Sequence, residues 1–239
     1  MLLSADVGET FEGRSVGFDS DVIPLVDVAN IACGGHGGTQ SSITTAIRLA
    51  KVNGVQIAAH PSYVDPENFG RRSLALDPAT LQIQLRNQYR YLRDLVGEAP
   101  QLVKAHGALY NDMFSNPELA RVYLEAFSEE SGEITFIGAP NSALEEICRI
   151  EKVPFIREGF ADRRYLDDAS LAPRSLDGSL IANPNEIVEQ IQTIADESSV
   201  TSMSGKRIRV RVNVICFHGD HPPSVEALKA FASVGRNRK

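Results

Sequence analysis

The chain carries five histidines, His36, His60, His106, His218 and His221, interspersed with Asp6, Glu9, Asn30, Lys104, Asn111, Asp162, Arg163 and Asp220. Imidazoles take and give protons near neutral pH, carboxylates orient them, and ammonium or guanidinium groups stabilise anions. That is the inventory of a general acid–base site. Asp6, His60 and His106 also suit zinc or manganese, although no HExxH-type spacing marks a metal site, so a divalent metal is left open. Gly34-Gly35-His36-Gly37-Gly38 reads either as a flexible turn or as a backbone cradle for a carboxylate or phosphate. It lacks the Lys-Ser/Thr ending of a nucleotide P-loop, and no such motif occurs elsewhere. Arg71-Arg72 reads as an anion clamp or a solvated pair. Cys33 beside His36 reads as a packing residue rather than a nucleophile.

These residues need a frame that brings distant segments together. Short apolar or β-branched runs alternate with longer amphipathic segments, the pattern of βα units around a parallel sheet. Seven strands are expected: 2–7, 26–33, 55–60, 102–106, 134–138, 154–160 and 210–217. Helix starts are marked by Asp77-Pro78, Asn116-Pro117 and Asn183-Pro184, each a capping side chain before a proline. Gly54, Gly97 and Gly132 stand where helices should stop. Leu81, Leu85, Leu92 and Val96 form one apolar stripe. The expected fold is a single seven-stranded α/β barrel over 1–239, with a frayed basic tail at 235–239. A parallel barrel carries its functional groups beyond the C-terminal ends of its strands. All five histidines fall there, and none falls on a helix face.

Composition narrows the function classes. At 239 residues, 43% hydrophobic and 23% charged, the chain can bury a full core. A net charge of -7 without a basic stripe argues against nucleic acid, since Arg207–Arg211 alternates with Ile208 and Val210 as a half-buried strand. Three cysteines without a CxxC pair, no signal-like N-terminus and no membrane-length apolar run point to the cytoplasm.

The ordered motifs Ala5-Asp6-Val7-Gly8-Glu9, Ala29-Asn30-Ile31-Ala32-Cys33-Gly34, Ala59-His60-Pro61, Phe69-Gly70-Arg71-Arg72, Val103-Lys104, His106-Gly107-Ala108-Leu109-Tyr110-Asn111, Phe160-Ala161-Asp162-Arg163 and His218-Gly219-Asp220 span almost the whole chain. Together they resemble the LamB/YcsF family. The resemblance implies a distorted, seven-stranded TIM-like barrel of the glycoside hydrolase/deacetylase type. It also implies ATP-dependent hydrolysis of 5-oxo-L-proline to L-glutamate together with two partner subunits, which would bind most of the ATP. On this reading Asp6, Glu9, His36, His60, Lys104, His106, Asp162, His218 and Asp220 are the catalytic candidates. Asn30, Gly34, Gly38, Arg71, Arg72, Asn111 and Arg163 are the substrate-binding candidates.

The chain departs from the family pattern at several points. Leu2-Leu3-Ser4 replaces the usual Asp-Leu-Asn, Gly35-His36-Gly37-Gly38-Thr39 replaces Phe-His-Ala-Gly-Asp, Ala105 replaces proline and His221 replaces asparagine. The lost aromatic and carboxylate are expected to alter substrate fit. Two other classes fit the same residues: a metal-dependent deacetylase or amidohydrolase of sugar-like substrates, and a non-catalytic accessory protein of the complex.

Overall fold

Strand formation follows the period-two pattern, which sends alternate side chains to opposite faces. The computed structural model describes residues 1–235, so most of the basic tail lies outside the described residues. Seven parallel strands close into a barrel: Leu2–Val7, Val28–Ala32, Gln56–His60, Leu102–Lys104, Thr135–Gly138, Phe155–Phe160 and Val214–His218. The first strand completes the ring by pairing with both the second and the seventh.

Alternation decides the barrel's contents. Val28, Ala58, Leu102, Ile137 and Val214 form a separate apolar cluster, with Ile156 packed against it. Two residues further along their strands come Asn30, His60, Lys104, Cys216 and Glu158. An apolar plug therefore underlies a polar layer. Intervening residues such as Ala5, Ile31, Val103 and Phe217 belong to the larger core between strands and helices.

The helices cover that outer face. Asp77, Asn116 and Asn183 cap their helices by accepting backbone N–H bonds from Thr80, Leu119 and Asn185, each with proline in the first turn. In the helix Pro78–Val96 the stripe Leu81, Leu85, Leu92 and Val96 is buried, as its spacing requires. Gly54 and Gly97 end their helices in left-handed geometry. Gly132 does not: the helix Pro117–Glu125 stops earlier, in turns that bury Phe127 against Tyr89, Tyr123 and Phe136. Aromatic burial outweighs the glycine signal there. The seventh strand begins at Val214 rather than Val210, because Asn213 supplies side-chain and backbone acceptors to Arg157 and Leu2 at the barrel's lower rim. Arg207–Arg209 forms a ribbon with Ser199–Thr201 outside the barrel, with Ile208 buried between exposed arginines. Among the described residues no helix is long and apolar enough to cross a membrane.

Candidate active site

Register places the site. Asp6 pairs with His218 on one side and with Asn30 on the other, so three polar residues from distant segments reach one level at the strands' C-terminal ends. Asp6 Oδ1 accepts from Asn30 Nδ2 at 2.9 Å and from Lys104 Nζ at 2.6 Å. The same ammonium lies 3.1 Å from Glu158 Oε1 and donates to Cys216 Sγ at 3.1 Å. Burial alone would raise the Asp6 carboxyl, yet the charges of His60 and Lys104 hold it well below the usual carboxylate range. Burial likewise opposes the Lys104 charge, but Asp6, Cys216 and Glu158 keep it protonated well above its ordinary value. For Glu158 burial prevails over Lys104 and lifts the carboxyl to about 7.

A second group stands beside this one. His60 Nε2 lies 3.3 Å from Asp6 Oδ2 and 3.0 Å from His106 Nδ1. Glu9 Oε1 lies 3.0 Å from His36 Nε2 and 3.4 Å from His106 Nδ1. Burial, then the Asp6 charge, pushes Glu9 up to about 8, and burial drives His36 down to about 3. Burial and the neighbouring His36 and His60 hold His106 well below its usual value. Glu9, His36, His60 and His106 place potential ligand atoms within 4.8 Å of one another, a buried cluster of metal-ligating side chains.

Opposite them, His218 Nδ1 meets Asp162 Oδ1 at 2.8 Å, which turns Nε2 away from the carboxylate. Burial would raise Asp162, but the His218 charge and hydrogen bond hold it below the ordinary range. Between the two walls lies a cavity of about 540 Å³, lined by Asp6, His60, Lys104, His106, Asn111 and His218 together with Arg71, Arg163 and Arg174. Arg71 lies over the Phe69 ring and pairs with Asp220 at 3.2 Å. Arg163 donates to Ala172 O, while its buried Nε has no partner among the described residues. Burial and the Arg174 charge lower Arg163 to about 10, against the pull of Asp162.

Some candidates stand away from the cavity. Arg72 is largely exposed and reaches Asp65 at 3.5 Å. Gly34 and Gly38 do not line it; the Gly38 N–H is engaged by Thr10 Oγ1. Asn30 acts behind Asp6 rather than on the cavity wall. Burial pushes the Cys33 thiol up to about 12, so it packs rather than attacks. Arg174 was not singled out from the sequence. Its only signal is the polar, non-periodic stretch between the sixth strand and Asn183-Pro184, a long loop beyond a strand's C-terminal end.

Residues 1–238 match the family described as the LamB/YcsF family. The chain belongs to the LamB/YcsF family. The 5-oxoprolinase A subunit of Pyrococcus furiosus is 37% identical over 227 residues, covering 94% of this chain and 89% of the relative. The crystal structure of a lactam utilization protein from Thermus thermophilus has a TM-score of 0.88 at 33% identity, covering 98% of this chain and 97% of that one. A family 4 carbohydrate esterase from Streptomyces lividans has a TM-score of 0.51 at 11% identity over 99% of this chain and 88% of that one, a likeness of fold alone. The architecture is thus the seven-stranded barrel of the glycoside hydrolase/deacetylase type expected from the motifs.

The structure locates this LamB/YcsF chain's departures from the family pattern. Thr39 caps the helix Gln40–Asn53 by accepting from Ser42 N, a task aspartate performs equally well. A Cβ at Gly35 would lie 2.1 Å from Gln88 Oε1 and 2.7 Å from Ser62 Oγ, so this position faces the helix behind the loop. Neither residue lines the cavity. Ser4 donates to Glu158 at 3.4 Å in the barrel's polar layer, and His221 Nε2 donates to Ile181 O at 2.9 Å. Ala105 alone of these lies on the cavity wall.

Proposed function

We propose that this chain is the A subunit of an ATP-dependent 5-oxoprolinase, a single barrel domain that opens 5-oxo-L-proline to L-glutamate in the cytoplasm with two partner subunits. The observation that carries the reading is the cavity's polarity. Guanidiniums of Arg71, Arg163 and Arg174 share one space with an aspartate-oriented histidine, as a small lactam bearing a carboxylate requires. The near full-length similarity to proteins named as the A subunit of 5-oxoprolinase supports it, as does the free, buried state of all three cysteines, which suits a reducing compartment.

Ring opening adds water across the amide C–N bond: hydroxyl goes to the carbonyl carbon and a proton to the nitrogen. His218, oriented by Asp162, takes the proton from the attacking water and returns it to the departing nitrogen. Arg163 and the Lys104 ammonium face the developing negative charge. Arg71, with Arg174, anchors the substrate carboxylate through charge-assisted hydrogen bonds. Asp6 and Glu158 fix Lys104, and Asn30 fixes Asp6. Phosphorylation of the lactam oxygen by ATP would activate the carbonyl carbon toward that water and so couple the two reactions, and ATP binding falls to the partner subunits, a division that the lack of a P-loop motif in this chain supports.

The test is reconstitution. Co-purified with its two partner subunits, the chain should support 5-oxoproline-dependent release of ADP and glutamate, and alone it should support little. A folded, fully assembled complex that releases neither product would refute the reading and favour a deacetylase-type activity.

A further inference from the structure

His60 and His106 each spend one ring nitrogen on a backbone carbonyl. His60 Nδ1 donates to Lys104 O at 2.9 Å, and His106 Nε2 donates to Phe69 O at 3.0 Å. A carbonyl only accepts, so both outer nitrogens carry their hydrogens, and in a neutral imidazole the other nitrogen is then a bare lone pair. Those inner nitrogens, His60 Nε2 and His106 Nδ1, face each other at 3.0 Å. Two lone pairs that close repel, so the arrangement calls for a positive charge at the gap, either a proton shared between the two nitrogens or a cation coordinated by both. Carboxylates flank it on both sides: Asp6 Oδ2 is 3.3 Å from His60 Nε2, and Glu9 Oε1 is 3.4 Å from His106 Nδ1.

We propose that this gap is a divalent-cation site whose ligands are His60 Nε2, His106 Nδ1, Glu9 Oε1 and Asp6 Oδ2. Along the row Asp6 Oδ2, His60 Nε2, His106 Nδ1 and Glu9 Oε1, neighbouring donors are 3.3, 3.0 and 3.4 Å apart, close to the ligand–ligand spacing around an ion with bonds of about 2.0 to 2.2 Å, and Glu9, His60 and His106 keep ligand atoms within 4.8 Å of one another. The His60 and His106 rings stand at 86° to each other, so their lone-pair directions can converge on one point. His36 belongs to the same cluster but is excluded from sharing the ion with His106. Their rings are stacked at 3.6 Å and 4°, and an ion cannot lie in two parallel planes at once. His36 instead holds Glu9 from behind. The outer hydrogen bonds of His60 and His106 to carbonyls are the kind that orient metal-ligating imidazoles.

Charge supports the same occupant. Asp6 and Glu9 bring two buried carboxyl groups to this gap, and a divalent ion there would hold both in the charged form. Because Asp6, His60 and His106 line the cavity, the ion would border the substrate and polarise an amide oxygen there. The site stands whichever amide is cleaved.

Metal-stripped full-length chain titrated with Co²⁺ should take up one ion and develop ligand-field absorption in the visible, and Zn²⁺ should displace it. His60→Ala and His106→Ala, with folding checked by circular dichroism, should abolish that spectrum, and the milder Glu9→Gln should weaken binding. His221→Ala should bind as the parent does. No stoichiometric uptake of Co²⁺, Zn²⁺ or Mn²⁺ by the folded parent overturns the site. So does a spectrum that survives both His60→Ala and His106→Ala, or one that survives His106→Ala and is lost in His36→Ala. None of these readouts uses catalytic activity, so they are separate from the test of the proposed reaction.

Discussion

Replacing Lys104 by methionine keeps the length of the side chain and removes the charge around which the polar layer is built. Its ammonium is 2.6 Å from Asp6, 3.1 Å from Glu158 and 3.1 Å from Cys216 Sγ, in a residue only 1% exposed. Removing one partner of a buried ion pair costs about 3–5 kcal/mol, because the carboxylates left behind keep their desolvation penalty. For a chain of this size about 1 kcal/mol shifts Tm by roughly 2–4 °C, so the expected fall is on the order of 6–20 °C. Burial already holds Glu158 at about 7 against the pull of Lys104. A folded carboxyl raised above its unfolded value stabilises below that unfolded value and loses this contribution as pH rises through the folded one. Without Lys104, Glu158 moves further up and Asp6 loses part of its depression, so the variant's deficit should grow from acid toward neutral pH. Thermal and urea unfolding of Lys104→Met, Glu158→Gln and the double variant measure this. The double variant should recover about 0.5–3 kcal/mol relative to additivity. A parent-like midpoint for Lys104→Met, or strict additivity, refutes the view that the ammonium neutralises this layer.

Three further outcomes follow from the same geometry. Asp162→Asn in the reconstituted complex should lower turnover by about 10²–10⁴-fold, the usual worth of an oriented proton-transfer group. Because the Asp162 carboxyl lies below the ordinary range, its contribution to stability is present above that range and lost as pH falls through the lower folded value. The variant's acid-unfolding limb should therefore be flatter than the parent's. Arg174→Gln should raise KM for 5-oxoproline by about 10- to 100-fold, the loss of one hydrogen bond to a charged group, with a smaller change in kcat; an unchanged KM removes Arg174 from the anchor. Thr39→Ala should cost about 1 kcal/mol in urea unfolding, the loss of a helix cap, while leaving product release at the parental rate.

Seven strands, their order along the chain, three capped helix starts and the placement of all five histidines at or beyond strand ends were legible in the residues. Each depends on local chemistry: period-two alternation, a capping oxygen before proline, an apolar stripe at helical spacing. By itself the sequence also determined membership of one family, because so many short motifs recur in order. Other features were decided only by the closed barrel. Closure sets Asp6 level with both Asn30 and His218, and it carries Lys104 across to Glu158 and Cys216. These contacts join residues as far apart in the chain as Asp6 and His218, 212 positions, and no local preference encodes them. The same closure turns Gly35 and Thr39 away from the cavity and brings Arg174 onto its wall. Residue types could nominate the chemistry. Which groups share a proton, a charge or an ion depends on distances of about 3 Å, which arise only when strand register and packing fix all seven segments at once.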